Sequence, residues 1–191
     1  MKHQRSQLNI TKHQISARIG ESILVQKMMQ YSVDEIDLMA KMITESLRSG
    51  HQILLFGNGG SAADAQHIAG EFVGEHVAIA LTTNTSTITA IGNDYGFIHI
   101  FERQIKSLCR EGDIAIGMST SGLSENVIRG LMAARSKGAK CIALTGQRTE
   151  KMNKVADLTV KVPSTSTPRV QECHLMIGHI VYELVEKMMK R

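Results

Sequence analysis

The sequence predicts an α/β protein: a three-layer α/β/α sandwich in which helices cover both faces of a five-stranded parallel sheet. Three observations carry this reading. Short apolar runs alternate with segments whose apolar residues recur every three or four positions, the pattern of strands joined by crossover helices. The run Ile53-Leu54-Leu55-Phe56 breaks at Gly57, passes through Gly59 and Gly60, and restarts at Ser61 as a helix that reaches Glu71. A later run over residues 114–118 breaks into Ser119-Thr120-Ser121-Gly122-Leu123-Ser124 before another helix. Ligands of parallel sheets sit at the carboxyl ends of the strands, so both polar loops fall on the edge where a site would form.

Taken in order, the first ten residues are polar and read as irregular. Helical spacing follows over residues 11–31 and 32–49. The second stretch has Ile36, Met39, Met42, Ile43 and Leu47 as its stripe, Ser32 as N-cap, Asp34 and Glu35 in the first turn and Gly50 as its stop. These two helices hold more apolar surface than one sheet face needs, so they either cover the sheet or meet another subunit. After the 53–71 unit, residues 77–81 read as the second strand, 82–86 as a polar break and 87–91 as the start of a helix. Gly92-Asn93-Asp94-Tyr95-Gly96 then reads as a turn. Residues 98–109 are helical, 114–118 form the third strand, and 125–137 form a helix closed by Gly138. Residues 141–144 and 158–162 are the fourth and fifth strands, with a short helix over 150–155 between them. The final helix, 168–190, carries Val170, Ile177, Ile180, Val181 and Leu184. The 191 residues read as a single domain, with residues 1–50 a helical segment and 51–191 the α/β core and last helix.

Composition narrows the function. Hydrophobic residues at 42% and charged residues at 21% exclude a disordered chain. Aromatics are only 4% and Trp is absent, which argues against a stacking platform for nucleic acid. The net charge of +4 is dispersed, and a phosphorylated small molecule satisfies it as well as DNA does. Cys109, Cys141 and Cys173 are too scattered for a disulfide framework or a Cys-x-x-Cys site, and Cys141 reads as a core residue. No apolar stretch reaches membrane-spanning length and MKHQRSQLN is no secretory signal, so a cytoplasmic protein without membrane or nucleic-acid partners is expected.

Gly57-Asn58-Gly59-Gly60-Ser61-Ala62 satisfies the dinucleotide pattern G-x-G-x-x-A. That site also needs an acid at the end of the next strand, where this chain has Ala80-Leu81-Thr82-Thr83-Asn84. No Gly-Lys-Ser/Thr follows the glycines either, so what remains is a general anion cradle. Ser119, Thr120, Ser121 and Ser124 can donate to a phosphate at a helix N-terminus; capping would use only one or two of them. His67 and Glu71, four residues apart, share a helix face and suit a surface ion pair, a metal half-site or an acid–base pair. On the last helix Gln171, Glu172, His174 and His179 are candidates, and spacing alone favours Glu172 with His179.

The stretches GNGGSAADAQH, AIGNDYGF, EGDIAIGMSTSGLSENV and RVQECHLMIGH occur in this order from about residue 53 to the C-terminus. Together they resemble the phosphoheptose isomerases of the sugar isomerase (SIS) family. The resemblance implies a flavodoxin-like sheet of five parallel strands, and a cytoplasmic homotetramer with active sites between subunits. It implies conversion of sedoheptulose 7-phosphate to D-glycero-D-manno-heptose 7-phosphate, the first step towards the nucleotide-activated heptoses of the lipopolysaccharide core. By motif, Asn58, Gly59, Gly60 and Ser61 would hold substrate, Ser119, Thr120, Ser121 and Ser124 its phosphate, and Asn93 and Asp94 the sugar. His67, Glu71, Gln171 and His179 match the ligands of one zinc ion per subunit; Glu71 and Gln171 also count as substrate contacts. Glu71 and His179 match the acid–base pair. Moving a carbonyl from C2 to C1 requires proton transfer through an enediol, which a carboxylate and an imidazole can perform while zinc polarises the carbonyl.

Two departures stand out. Family members carry a longer segment, with an Arg and a Pro-rich turn, where Phe72-Val73-Gly74-Glu75-His76 here runs straight into Val77. Whether the basic contact of that segment has a counterpart stays open. Pro168 stands where some members have an Asp, so no substrate contact is assigned to it. The alternatives are a non-catalytic relative that binds the bacterial replication initiator, and a sugar-phosphate sensor. The four zinc-ligand matches weigh against the first, and the lack of an attached DNA-binding or catalytic segment weighs against the second.

Overall fold

The structure, a computed structural model, describes residues 2–190, with side chains from Thr11 onward. In chain order the elements are α1 (Lys2–Met28), α2 (Val33–Arg48), β1 (Ile53–Gly57), α3 (Gly60–Glu71), β2 (Ala78–Ala80), α4 (Thr85–Tyr95) and α5 (Ile100–Leu108). They continue with β3 (Ile114–Ser119), α6 (Glu125–Ser136), β4 (Lys140–Thr145), β5 (Leu158–Lys161) and α7 (Thr167–Met189). The five strands pair in parallel in the order β2-β1-β3-β4-β5.

Strands β1 and β3 are buried on both faces, which is why each reads as an unbroken apolar run rather than an alternation. Successive side chains feed opposite cores. Ile53, Leu55, Ile114, Ile116, Ile142 and Leu144 pack with the buried residues of α2, α3 and α7. Leu54, Phe56, Ala115 and Ala143 pack with α5 and α6, where the Phe56 and Phe101 rings lie 5.1 Å apart. From β1 the chain crosses to one side of the sheet, and from β3 it proceeds to the other. The resulting switch point between β1 and β3 leaves a crevice at their carboxyl ends.

The two N-terminal helices differ in how far they are buried. Helix α2 buries Ile36, Met39, Ile43 and Leu47 in the core. Helix α1 is anchored by Val25, while Ile15, Ile19, Ile23 and Leu24 are exposed. Helix α1 begins at Lys2, so the polar leader expected to be irregular is helical; Lys, Arg, Gln and Leu are favourable helix formers. Helix α4 extends through Asn93 and Asp94, which therefore lie on a helix and not in the expected turn. Asn84 starts it by accepting from the Thr87 amide at 3.0 Å. The expected helix over 150–155 shrinks to a 3-10 turn, Met152–Lys154, and Ser32 stands at the N-cap of α2 without a capping bond. No helix among the described residues is long and apolar enough to cross a membrane.

Burial also sets the chemistry of several side chains. It pushes the Cys109, Cys141 and Cys173 thiols up, to about 11, about 12 and about 11. His174 is fully buried on α7 and faces the Thr145 carbonyl oxygen at 3.3 Å, while its Nδ1 has no partner. Burial pulls this imidazole down to about 4, against a smaller upward pull from that carbonyl. The unfolded chain takes up this proton near pH 6.5, whereas the folded chain resists it until about 4. Stability contributed by neutral His174 is thus present above pH 6.5 and is lost as pH falls through that window, by on the order of 3 kcal/mol. Urea denaturation at stepped pH is expected to show this loss in the wild type and a flatter profile in His174→Leu over the same range.

Candidate active site

Because β1 and β3 are neighbours in register, with Gly57 beside Met118, the loops that follow them flank the same crevice. After β1, Ser61 is buried and its amide donates to the Asn58 carbonyl at 3.0 Å, while Gly59 and Gly60 stay exposed. Gly60 lets the Gln171 side chain come close: a Cβ there would meet its amide at 2.3 Å and Gln171 would have to turn aside. After β3, Ser119 Oγ donates to Ser124 Oγ at 2.9 Å and lies 3.4 Å from Ser121 Oγ, and Ser121 Oγ accepts from the Leu123 amide. Ser124 occupies the N-cap of α6 but makes no side-chain capping bond. Capping does not explain these hydroxyls; they form a polar cluster at a helix N-terminus.

Sequence reasoning missed two further residues at this site. Asn126 exchanges two amide hydrogen bonds with Asn58, at 2.9 and 2.8 Å, and its Oδ1 also accepts from the Val127 amide. The first loop is thereby braced against the start of α6. No spacing rule pairs positions so far apart. The other is Asp64, one turn before His67, whose Oδ2 is buried without a partner. Burial pushes its carboxyl up to about 6, against the pull of His67 in the other direction.

Helices α3 and α7 pack directly, and a Cβ on Gly178 would lie 2.5 Å from Ile68 Cδ1. That contact sets His67, next to Ile68, beside His179, next to Gly178. Their Nε2 atoms are 2.8 Å apart, and His67 Nε2 is 3.4 Å from Glu71 Oε1. Ligand atoms of His67, Glu71 and His179 all lie within 4.8 Å of one another. The isolated surface pair that spacing allowed for His67 and Glu71 is thus joined by an imidazole from a second helix. Gln171 sits about two turns before His179, with its amide against Gly60. Glu172, which spacing favoured, faces elsewhere: it pairs with Arg169 at 2.5 Å and accepts from Ser22 of α1 at 2.6 Å. Pro168 lies in the first turn of α7, a position that needs no amide donor. Asn93 and Asp94 are exposed at the C-terminal end of α4 and bond each other at 2.8 Å.

Two imidazole nitrogens and a carboxylate oxygen form a donor set suited to a borderline divalent cation such as zinc. The same groups can also exchange protons with a bound molecule.

A family model described as SIS domain matches residues 22–146. The phosphoheptose isomerase of Aquifex aeolicus (strain VF5) is 54% identical over 165 residues, covering 83% of this chain and 86% of that protein. Phosphoheptose isomerase GmhA from Neisseria gonorrhoeae superposes with a TM-score of 0.90 at 40% identity, over 92% of this chain and 98% of that one. A phosphoheptose isomerase from Francisella tularensis gives a TM-score of 0.88 at 33% identity, over 91% and 97%.

The Gly178 contact makes a direct expectation. Gly178→Ala should destabilise the fold by roughly 1–3 kcal/mol in urea denaturation, because an added methyl must push α3 from α7. It should also spread the 2.8 Å approach of the His67 and His179 imidazoles, which a crystal structure of the variant would show.

Proposed function

The chain belongs to the phosphoheptose isomerase family of SIS-domain proteins and is an aldose–ketose isomerase; we propose that it converts sedoheptulose 7-phosphate to D-glycero-D-manno-heptose 7-phosphate. The observation that carries this reading is the convergence of His67, Glu71 and His179 on the α3–α7 seam, whose α3 side opens from the glycine loop at the β1–β3 crevice. The hydroxyl loop flanks the same crevice. In this reading Ser119, Thr120, Ser121 and Ser124, with the amides that open α6, hold the phosphate. Asn58, Gly59, Gly60, Ser61 and Gln171 line the sugar.

Glu71, as a carboxylate, takes a proton from C1 of the ketose while His179 protonates the oxygen on C2, leaving an enediol. His179 then removes the proton from the oxygen on C1 as the carbonyl forms there, and Glu71 returns its proton to C2. His67, Glu71, Gln171 and His179 would hold one zinc ion, which when bound supplies a Lewis acid for the carbonyl. Both roles fall on Glu71 and His179, so metal content has to be measured beside turnover.

The enzyme works in this proposal as a cytoplasmic homotetramer at the start of heptose activation for lipopolysaccharide. The exposed Ile15, Ile19 and Ile23 of α1 supply apolar surface for subunit contact. The exposed Asn93 and Asp94 reach the sugar in a site shared between subunits.

The test is turnover of sedoheptulose 7-phosphate by purified protein with zinc supplied. Glu71→Gln and His179→Ala are each expected to lower kcat by about 10²–10⁴-fold, and Ser119→Ala to act mainly through KM. Zinc content should fall by one equivalent per subunit in His67→Ala. A wild-type protein that leaves this substrate unchanged sinks the assignment.

A further inference from the structure

A second cluster of metal-ligating atoms lies further along the same seam, outside the site described above. Glu75 and His76 belong to the short segment between α3 and β2, and Glu186 lies on α7 seven residues beyond His179. Ligand atoms of all three lie within 4.8 Å of one another. His76 Nε2 and Glu186 Oε1 face each other at 3.3 Å, with side-chain exposures of only 9% and 13%.

Neither atom makes a hydrogen bond, although both are shielded from water. This is the informative feature. A simple His–carboxylate ion pair would align an N–H with an oxygen, because a buried polar atom left without a partner costs about 1–3 kcal/mol. Here the two atoms sit at contact range without that alignment, next to the Phe72 ring, which itself packs on Tyr182. The separation is one that a shared cation fits. Ligands held at about 2.0–2.2 Å in a tetrahedral array stand roughly 3.3–3.5 Å apart. His67 Nε2 and Glu71 Oε1 show nearly the same spacing, 3.4 Å. Lys190 approaches Glu186 through the other carboxylate oxygen, Oε2, at 3.4 Å, so Oε1 stays available. Glu75 is exposed and brings a third ligand atom within 4.8 Å of the other two.

We propose that Glu75, His76 and Glu186 form a second divalent-cation site, with zinc-like preference and water in the remaining position. One nitrogen and two carboxylate oxygens favour such an ion over a soft metal or a hard one. Its effect is structural: it ties the short segment that follows Glu71 to α7 and so fixes how the chain leaves the helix bearing His67.

Chelator-stripped protein titrated with Zn2+ against a chromophoric competitor tests this. The wild type is expected to bind two equivalents per subunit. His76→Gln should lose one and keep isomerase turnover, whereas His67→Ala should lose the other. Glu75→Gln, an exposed change that leaves packing intact, should weaken the second equivalent at least tenfold. Zn2+ should raise the Tm of His67→Ala but not of His67→Ala/His76→Gln. Two equivalents bound with wild-type affinity by both His76→Gln and Glu75→Gln would overturn the proposal. So would a single wild-type equivalent that disappears in His67→Ala, or zinc-edge anomalous scattering from zinc-soaked crystals with no peak between His76 and Glu186. A single equivalent lost in His76→Gln but kept in His67→Ala would support this site and remove the zinc from the first.

Discussion

The chemistry of this molecule depends on how closely α3 and α7 approach at Ile68 and Gly178. Any side chain at Gly178 would occupy the space filled by Ile68. The consequences extend along the seam in both directions: Gln171 meets Gly60 before the contact, and Glu186 meets His76 after it. Residue numbers rise together on both sides, so the two helices run in the same direction. Each starts from the carboxyl edge of the sheet, α3 just after β1 and α7 after β5. Their positive ends therefore face the crevice, together with that of α6, which favours an anion there before any side chain contributes.

The sheet supplies the second constraint. Adjacent, parallel β1 and β3 deliver the glycine loop and the hydroxyl loop to one place, and the reciprocal Asn58–Asn126 amide pair holds them together. This division of labour is economical. The residues with the strongest chemistry stand on α3 and α7, packed together on one face of the sheet, and the loops offer backbone amides and small hydroxyls. Groups of that kind are placed by the main chain and need little help from neighbouring side chains.

Much of this was legible in the residues. All five strands lie where apolar runs interrupted by Gly, Asp or Ser indicated, because β1 and β3 are covered on both sides and have no polar face to disguise them. Helix α4 was under-read because Asn93-Asp94 between glycines has strong turn propensity, whereas the Asn84 cap carries the helix through it. At the site, His67 with Glu71 follows from local spacing, but their partner lies on another helix and local periodicity cannot find it. Spacing favoured Glu172 over Gln171, yet Arg169 and Ser22 hold Glu172 away. Only the motif resemblance selected Gln171. Asp64 and Asn126 stayed invisible since their importance rests on burial and on one distant partner.

The three cysteines carry a practical consequence. Burial holds Cys109, Cys141 and Cys173 almost entirely as thiols at neutral pH, and the thiolate is the form that reacts. Thiol reagents should therefore modify them only when the fold opens. Cys109 and Cys141 sit in the core beneath α5 and α6, and Cys173 in the core on the opposite face of the sheet. The native chain thus contains an internal probe of each layer, whose labelling rates compare how often the two faces separate.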